Sequence, residues 1–457
     1  MAFPSVTEDG YGTGVLPNGE GRAALSSPGG PLGAEDAVSE RPHLPFGWIN
    51  RDGRLVILSR GVRTLAQGIM AVLLALYLDR LGFSLVRIGA LLSVGVAGAA
   101  TFAFLVSFVA ERLGRRRLLV ALTLMTAGAG AAFVFTDNFY ILAAAAFLGS
   151  MTGGEGAAGP IQPLEQATLP DTAPPEKRTD LFAVYGIMAT AASALGALVA
   201  GLPAIYRDAF GLSEVQSYRV MFLAFTALLV MSAGLYGLLS PSVEVSVDRR
   251  LWSNPFKLPS RRRIFTLTGL FSADRFAGSL VMQSLVAYWF NTRFGLDLGS
   301  LAFVFLGSQV LAAVSLWLAA KIANRIGLLN TMVFSHIPSS VFLIAAAFAP
   351  VAWMAVLFWQ LRSFLGQMDV PTRDSYTMAI VHPEERVAMA SIHIVGRSIA
   401  GTAGPSVATA LWNAISASAP FIGCGVLKIA YDLSLYFVFR KARPPEEEQR
   451  LRARAQR

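Results

Sequence analysis

A single cysteine, Cys424, excludes a disulfide framework and any CxxC-type zinc site. Four scattered histidines provide no metal-ligand spacing, and no H-E-x-x-H or H-x-x-x-D cluster is present to support a membrane-embedded enzyme. No G-x-x-x-x-G-K-[ST] loop occurs, which argues against direct use of ATP. Charge is scarcest of all. Only 15% of residues are Asp, Glu, Lys or Arg while 54% are hydrophobic, against about 25% and roughly 45–50% in soluble domains. Too few charged side chains remain to cover a globular surface, and far too many apolar ones for a disordered chain. The class left is an all-α polytopic membrane protein.

What the sequence holds instead is a long series of apolar segments. Residues 1–45 are rich in Gly, Pro, Ser, Ala and acids and contain no run long enough for a signal peptide, so they read as a disordered cytosolic tail. Twelve apolar segments follow, each near the ~20 residues that cross ~30 Å of hydrocarbon. Six fall within 46–240 and six within 264–440, divided by a polar cytosolic linker over 241–263 and followed by a basic cytosolic tail over 441–457. The fourth, seventh, tenth and eleventh are read as continuous over 139–167, 264–290, 351–379 and 388–413. With the N-terminus inside, about two-thirds of the Lys and Arg fall on the cytosolic side, whereas the opposite loops hold chiefly Arg80, Arg87, Arg207 and Arg293. Both termini are therefore expected in the cytosol, at the plasma membrane or, for a bacterial chain, the inner membrane. The net charge of +9 reads as membrane topology rather than nucleic-acid binding.

The two halves read as a duplication. After the second segment the chain runs Val109-Ala110-Glu111-Arg112-Leu113-Gly114-Arg115, and after the eighth it runs Ile322-Ala323-Asn324-Arg325-Ile326-Gly327-Leu328. A second ungapped match sets Pro175-Glu176-Lys177-Arg178 on Pro383-Glu384-Glu385-Arg386, Pro163 on Pro371 and Gly196 on Gly404. Gly114 permits a tight turn between two helix ends, and Glu111, Arg112 and Arg115 can hold those ends by charge-assisted hydrogen bonds while the cytosolic face is closed. The arginines can equally act as positive-inside anchors. Extended from Ser107 to Arg116, this stretch resembles the loop motif of the major facilitator superfamily of secondary transporters, G-x-x-x-[DE]-[RK]-x-G-[RK]-[RK], departing only at its first glycine. The second copy keeps Arg325 and Gly327 and replaces the acid with Asn324. This resemblance covers residues 55–439. It implies twelve transmembrane helices in two pseudo-symmetric six-helix bundles that rock about a midplane site, with helices 1, 4, 7 and 10 around it.

Ionisable residues within the hydrocarbon cost at least ~2.5–3.5 kcal/mol on insertion scales, so each marks a candidate site. Arg63 and Arg275 occupy near-equivalent places in the first and seventh segments and are expected to face each other ~15 Å above the cytosolic end, suiting a phosphate or carboxylate. Pairing with Asp274 or Glu155 is the alternative. Glu155 and Asp369 are candidates to carry a coupling proton or to neutralise an arginine. Arg397, with His393, stands at the inner vestibule for substrate contact or gating. Glu165 and Arg373 are equivalent by repeat and opposite in sign. They are expected to close a gate across the pseudo-two-fold axis or with Arg178 and Arg386; solvated helix-end charge worth only ~0–1 kcal/mol is the alternative. Arg60 is expected to snorkel to the inner interface.

These readings converge on a monomeric secondary active transporter, not an enzyme, that moves a small solute across the lipid bilayer without cofactor, metal or nucleic acid. An organic anion is the expected cargo, a proton the candidate coupling ion and efflux a candidate direction. An efflux antiporter for amphipathic compounds is the alternative within that class, and a non-transporting sensor or channel the alternative outside it. Glu111→Gln is expected to favour the inward-open state; unchanged labelling of cytosolic-facing cysteine probes in that variant rejects the gate.

Overall fold

The computed structural model describes residues 47–152, 159–174, 177–244, 259–380 and 385–440. The expected tails over 1–45 and 441–457 lie outside the described residues. In the first half, α1 (Arg51–Arg80), α2 (Leu85–Leu113) and α3 (Arg115–Phe135) are unbroken crossings. α4 (Phe139–Leu148) and α5 (Ile161–Thr168) share the fourth, α6 (Arg178–Val199) runs into α7 (Leu202–Phe210), and α8 (Glu214–Gly237) is the sixth. In the second half, α9 (Arg261–Ser279) and α10 (Gln283–Phe294) share one crossing, and α11 (Leu298–Ile326) and α12 (Leu328–Phe348) form the next two. α13 (Ala352–Leu365) with α14 (Asp369–Ala379) and α15 (Arg386–Thr402) with α16 (Gly404–Ala414) make two more broken crossings before α17 (Ala419–Phe439).

Eight of these spans are long and apolar enough to cross a membrane by themselves, and the four broken ones are compatible with the expected twelve. The continuous helices expected over the fourth, seventh, tenth and eleventh segments are thus corrected to interrupted ones. Local chemistry accounts for the break in the eleventh and for the junction of α6 with α7. Pro405 sits in the first turn of α16 and Pro203 in that of α7, where a missing N–H is harmless but the preceding helix cannot continue. Bilayer-depth backbone outside a helix is tolerated only where protein or a cavity covers it, so the breaks point to the interior.

The repeat appears in the packing as in the sequence. α1 packs on α6 and α8 as α9 packs on α15 and α17, and α3 packs on α8 as α12 packs on α17. The two duplicated loops turn on the same device: Gly114 at φ 87° and Gly327 at φ 91°, a backbone region that glycine enters without a Cβ penalty. At Gly114 there is a second reason. A Cβ there would lie 2.6 Å from the Glu244 carboxylate, which accepts the Arg115 and Arg116 amide N–H groups at 2.7 and 3.2 Å. An acid from the linker therefore caps the start of α3, where the helix dipole favours it.

The apolar cores differ between the two ends. Toward the side where α1 ends, one core is built from both bundles and includes Tyr77, Phe222, Trp289, Phe290 and Trp359. Toward the side where α1 begins, hereafter the tail side, each bundle has a separate core, one around Leu119, Leu164 and Tyr236 and the other around Phe271, Tyr376 and Leu435. Bundle-to-bundle hydrogen bonds match the shared core. Tyr288 donates to Asp79 at 3.0 Å, Gln309 to Ser193 at 3.1 Å, and the Ser406 amide and hydroxyl reach Ser93 Oγ at 3.0 and 2.8 Å. Gly89 lets α2 and α16 meet there, since a Cβ would lie 2.8 Å from the Pro405 carbonyl. Exposed Phe135, Tyr140, Phe348 and Trp353 at helix ends on this far side suit a lipid interface. Oxidation of a Ser93→Cys/Ser406→Cys variant is expected to cross-link α2 to α16 readily, read as a protease-resistant link between the halves; Gly89→Val should reduce its yield by wedging the seam.

Candidate functional site

Two buried charge clusters occupy corresponding places in the two bundles. In the first, Arg63 Nη2 lies 2.6 Å and Arg60 Nη1 3.5 Å from Glu165 Oε2. Tyr185 and Tyr236 donate their hydroxyls to the same carboxylate at 2.7 and 2.5 Å, and Arg60 stacks over the Tyr185 ring at 5.0 Å. Glu165 is fully buried and Arg63 is 2% exposed. Both carboxylate oxygens are satisfied, and each arginine has an anion or a ring against it, the requirement for charge in a low dielectric.

The second cluster joins α9, α12, α14 and α17. Asp274 accepts from Lys428 at 2.6 Å and lies 3.6 Å from Arg373, which also contacts Asp369 at 2.9 Å. His336 lies between Asp432, Lys428 and Asp274. The pairs Arg63–Glu165 and Asp274–Arg373 link equivalent helices with the signs exchanged.

A cavity of about 770 Å³ lies against the second cluster only. Asp274, His336, Asp369, Arg373 and Lys428 face it, together with Arg275, Arg362, His393 and Arg397. The first bundle contributes Val96, Gln162 and Gln166. Thr377 and Met389 line it toward the tail side, and Gly278, Gln283 and Gly366 line it at the helix breaks. Carboxylates Asp274 and Asp369 face five cations: Arg275, Arg362, Arg373, Arg397 and Lys428. Arg373 and Lys428 are held by those acids, and Arg362 lies over the Trp359 ring at 4.5 Å. Arg275 and Arg397 make no ion pair with any described residue. Gly401 makes room for Arg275, whose Nε lies 3.3 Å from where a Cβ would stand. At the break between α9 and α10, Gln283 Nε2 and Trp359 Nε1 are buried donors with no protein partner among the described residues.

The profile of the Major Facilitator Superfamily matches residues 56–367 and again 275–457. The chain belongs to the major facilitator superfamily. It is therefore a membrane-embedded secondary transporter of small molecules, in keeping with the broken helices around a central cavity. It is 24% identical over 429 residues to the "Uncharacterized membrane protein YJR124C" of Saccharomyces cerevisiae, covering 86% of this chain and 95% of that protein. Its fold matches a bacterial homolog of the human lysosomal transporter Spinster, captured inward-facing and occupied, at TM-score 0.66 and 14% identity over 84% of this chain and 95% of that one. It also matches the nucleoside transporter NupG at TM-score 0.65 and 14% identity, over 86% and 98%.

The superfamily fold places the residues singled out by sequence in different settings. Arg275, Asp369 and Arg397 line the cavity with Arg373. Arg63 does not: it is sealed in the first cluster, so the facing pair Arg63 and Arg275 is corrected, because Glu165 supplies a nearer counter-ion. Glu165 and Arg373 do not pair across the axis either; each is neutralised inside its own bundle. Arg60 points inward to Glu165 rather than snorkelling. Arg115 donates to the Ala167 carbonyl at 3.1 Å within its own bundle, and Arg325 is exposed at the end of α11. Glu155 lies outside the described residues, as do the side chains of Glu111, Arg112, Arg178 and Arg386. Sequence reading missed His336, Lys428, Tyr185, Tyr236 and Glu244. Lys428 and Asp432, four apart on an otherwise apolar helix, share a face and carried the clearest available signal. Glu165→Gln leaves two buried arginines short of an anion and is expected to lower stability by ~3–5 kcal/mol, read by denaturant unfolding in detergent; a loss below ~1 kcal/mol contradicts the structural role.

Proposed function

We propose that this transporter carries small organic anions, bound in the central cavity by Arg275 and Arg397. The observation that carries the reading is the pair of cavity arginines that make no ion pair with any described residue, in a cavity whose described lining holds more cations than carboxylates. In the first bundle, by contrast, each buried arginine stands against a carboxylate, Glu165. Burial of a cation without a partner costs several kcal/mol, and a carboxylate or phosphate spanning two guanidinium groups recovers it through charge-assisted hydrogen bonds. The unpartnered Gln283 and Trp359 donors suit neutral acceptor atoms of the same cargo at the deep end.

The tail side is the cytosolic side in this reading, since the Lys and Arg concentrate there and the far-side loops are poor in them. The plasma membrane is the proposed location. The separate tail-side cores and the joint far-side core then describe a carrier open to the cytosol. An ion gradient supplies the energy, with a proton as the coupling ion.

Uptake into proteoliposomes from a panel of organic anions and amphipathic cations tests this. Anions are expected to be preferred, and Arg275→Gln or Arg397→Gln to weaken their binding ~10- to 100-fold, the worth of one hydrogen bond to a charged group. Preference for cations, unaffected by Arg275→Gln, overturns the reading in favour of a carrier for amphipathic compounds.

A further inference from the structure

His336 is the one ionisable side chain on α12, which lies in the membrane behind the cavity. It is 5% exposed and lines the cavity with one edge of its ring. Nδ1 is 3.0 Å from both carboxylate oxygens of Asp432, which is 1% exposed and lies behind the ring. Nε2 is 3.1 Å from Lys428 Nζ and 3.9 Å from Asp274 Oδ1. An ammonium can only donate, so Nε2 is the acceptor of that contact and the ring carries its single proton on Nδ1, donated to Asp432. The imidazole is thus neutral, and its open lone pair is occupied by Lys428.

That lone pair can be held by Lys428 or by a proton, but not by both. Lys428 has another partner in Asp274 at 2.6 Å, so it can leave Nε2 without losing its counter-ion. A proton arriving from cavity water on Nε2 turns the ring into an imidazolium with Asp432 behind it and Asp274 in front. The displaced ammonium stays on the cavity wall, where it already counted as a cation, and the protonated ring adds one positive charge beside Arg275 and Arg397. The effect runs in both directions. Empty, Arg275 and Arg397 oppose a further positive charge on His336; covered by an anion, they no longer do. Binding of anion and of proton must favour each other to the same degree.

The described titratable and charged groups that touch the ring or line the cavity beside it come from four helices. They are Lys428, Tyr431 and Asp432 from α17, Asp274 from α9, Asp369 and Arg373 from α14, and Arg362 from α13. Asp369 is engaged by Arg373 at 2.9 Å.

We propose that His336, backed by Asp432, is the coupling-proton site, and that this transporter moves a proton and an organic anion together in the same direction. The proposal rests on the anion and proton readings given above and adds the proton's site and the sense of coupling. The proton comes from water on the side where the cavity is open and returns to water on the other side. No bond other than N–H is made or broken.

Proton uptake on adding succinate, benzoate or glycerol phosphate to the purified full chain in weakly buffered detergent, with an indicator dye, tests it. About one proton is expected to be taken up per anion bound, with affinity rising up to about tenfold for each pH unit lowered. His336→Gln should abolish the uptake and flatten the pH profile. In proteoliposomes, the same variant should lose accumulation driven by a pH gradient, with a monodisperse gel-filtration profile in detergent showing that it is folded. Asp432→Asn should shift the profile to lower pH, since the imidazolium loses its counter-ion. Anion binding with no proton uptake, or with proton release, overturns this proposal alone. Absence of binding by all three anions overturns the anion reading and this proposal with it.

Discussion

Charge placed in hydrocarbon must be met by opposite charge or by water, and this requirement organises the interior of the molecule more than any apolar contact does. The first bundle meets it entirely with protein. Glu165 takes two arginines and two tyrosine hydroxyls, and nothing in that cluster faces the cavity. The second meets it only in part. Its acids and bases neutralise one another around Asp274, yet Arg275 and Arg397 remain turned to the cavity, where water or cargo must complete them. The halves share an architecture and differ in where their buried charge stands: the first keeps it away from the cavity, the second lines the cavity with it.

The backbone follows the same logic. Helix interruptions free carbonyl and amide groups that lipid cannot satisfy, so they belong where a cavity or another helix covers them. The breaks between α9 and α10 and between α13 and α14 fall at the cavity, with Gly278, Gln283 and Gly366 in its lining. The far-side core passes above them and ties both bundles into one body, while the tail-side cores stay apart. A rocking motion about the cavity therefore has to unmake the shared core and its few hydrogen bonds, chiefly at Tyr288, Gln309 and Ser406, and can leave each bundle's own charge cluster intact.

Much of this architecture was legible in the chain. Length and spacing of apolar segments give the twelve crossings, and the Gly114 and Gly327 loops give the duplication, because a positive-φ turn leaves a glycine behind. The site was legible only by its ingredients. Arg275, Arg397 and Asp369 were identifiable as charges in the wrong solvent, but which charge answers which is a matter of three-dimensional distance. Repeat symmetry misled most at Glu165 and Arg373: equivalence with opposite sign suggested a pair, whereas each had been provided with its own partner, Arg63 in one half and Asp274 in the other, with signs exchanged. Equivalent positions in the halves share the need for a counter-ion, not the sign of the charge. His336 was overlooked because one histidine in an apolar run carries no spacing pattern; its meaning comes from Asp432 and Lys428 on a helix nearly a hundred residues away.

Electrostatics also bears on why such a carrier would not rock freely without cargo. Closing the tail side over the cavity strips water from Arg275 and Arg397, and two stripped guanidinium groups with no anion oppose closure by their lost hydration and by mutual repulsion. Under the proposed coupling an anion would remove both terms, and a proton on His336 would free Lys428 from the ring. Coupling then needs no dedicated signal between distant sites. In that proposal the arginines that would select the cargo also make the empty cavity costly to close, and the lone pair contested by Lys428 and the proton would set how many charges must arrive before closure becomes favourable.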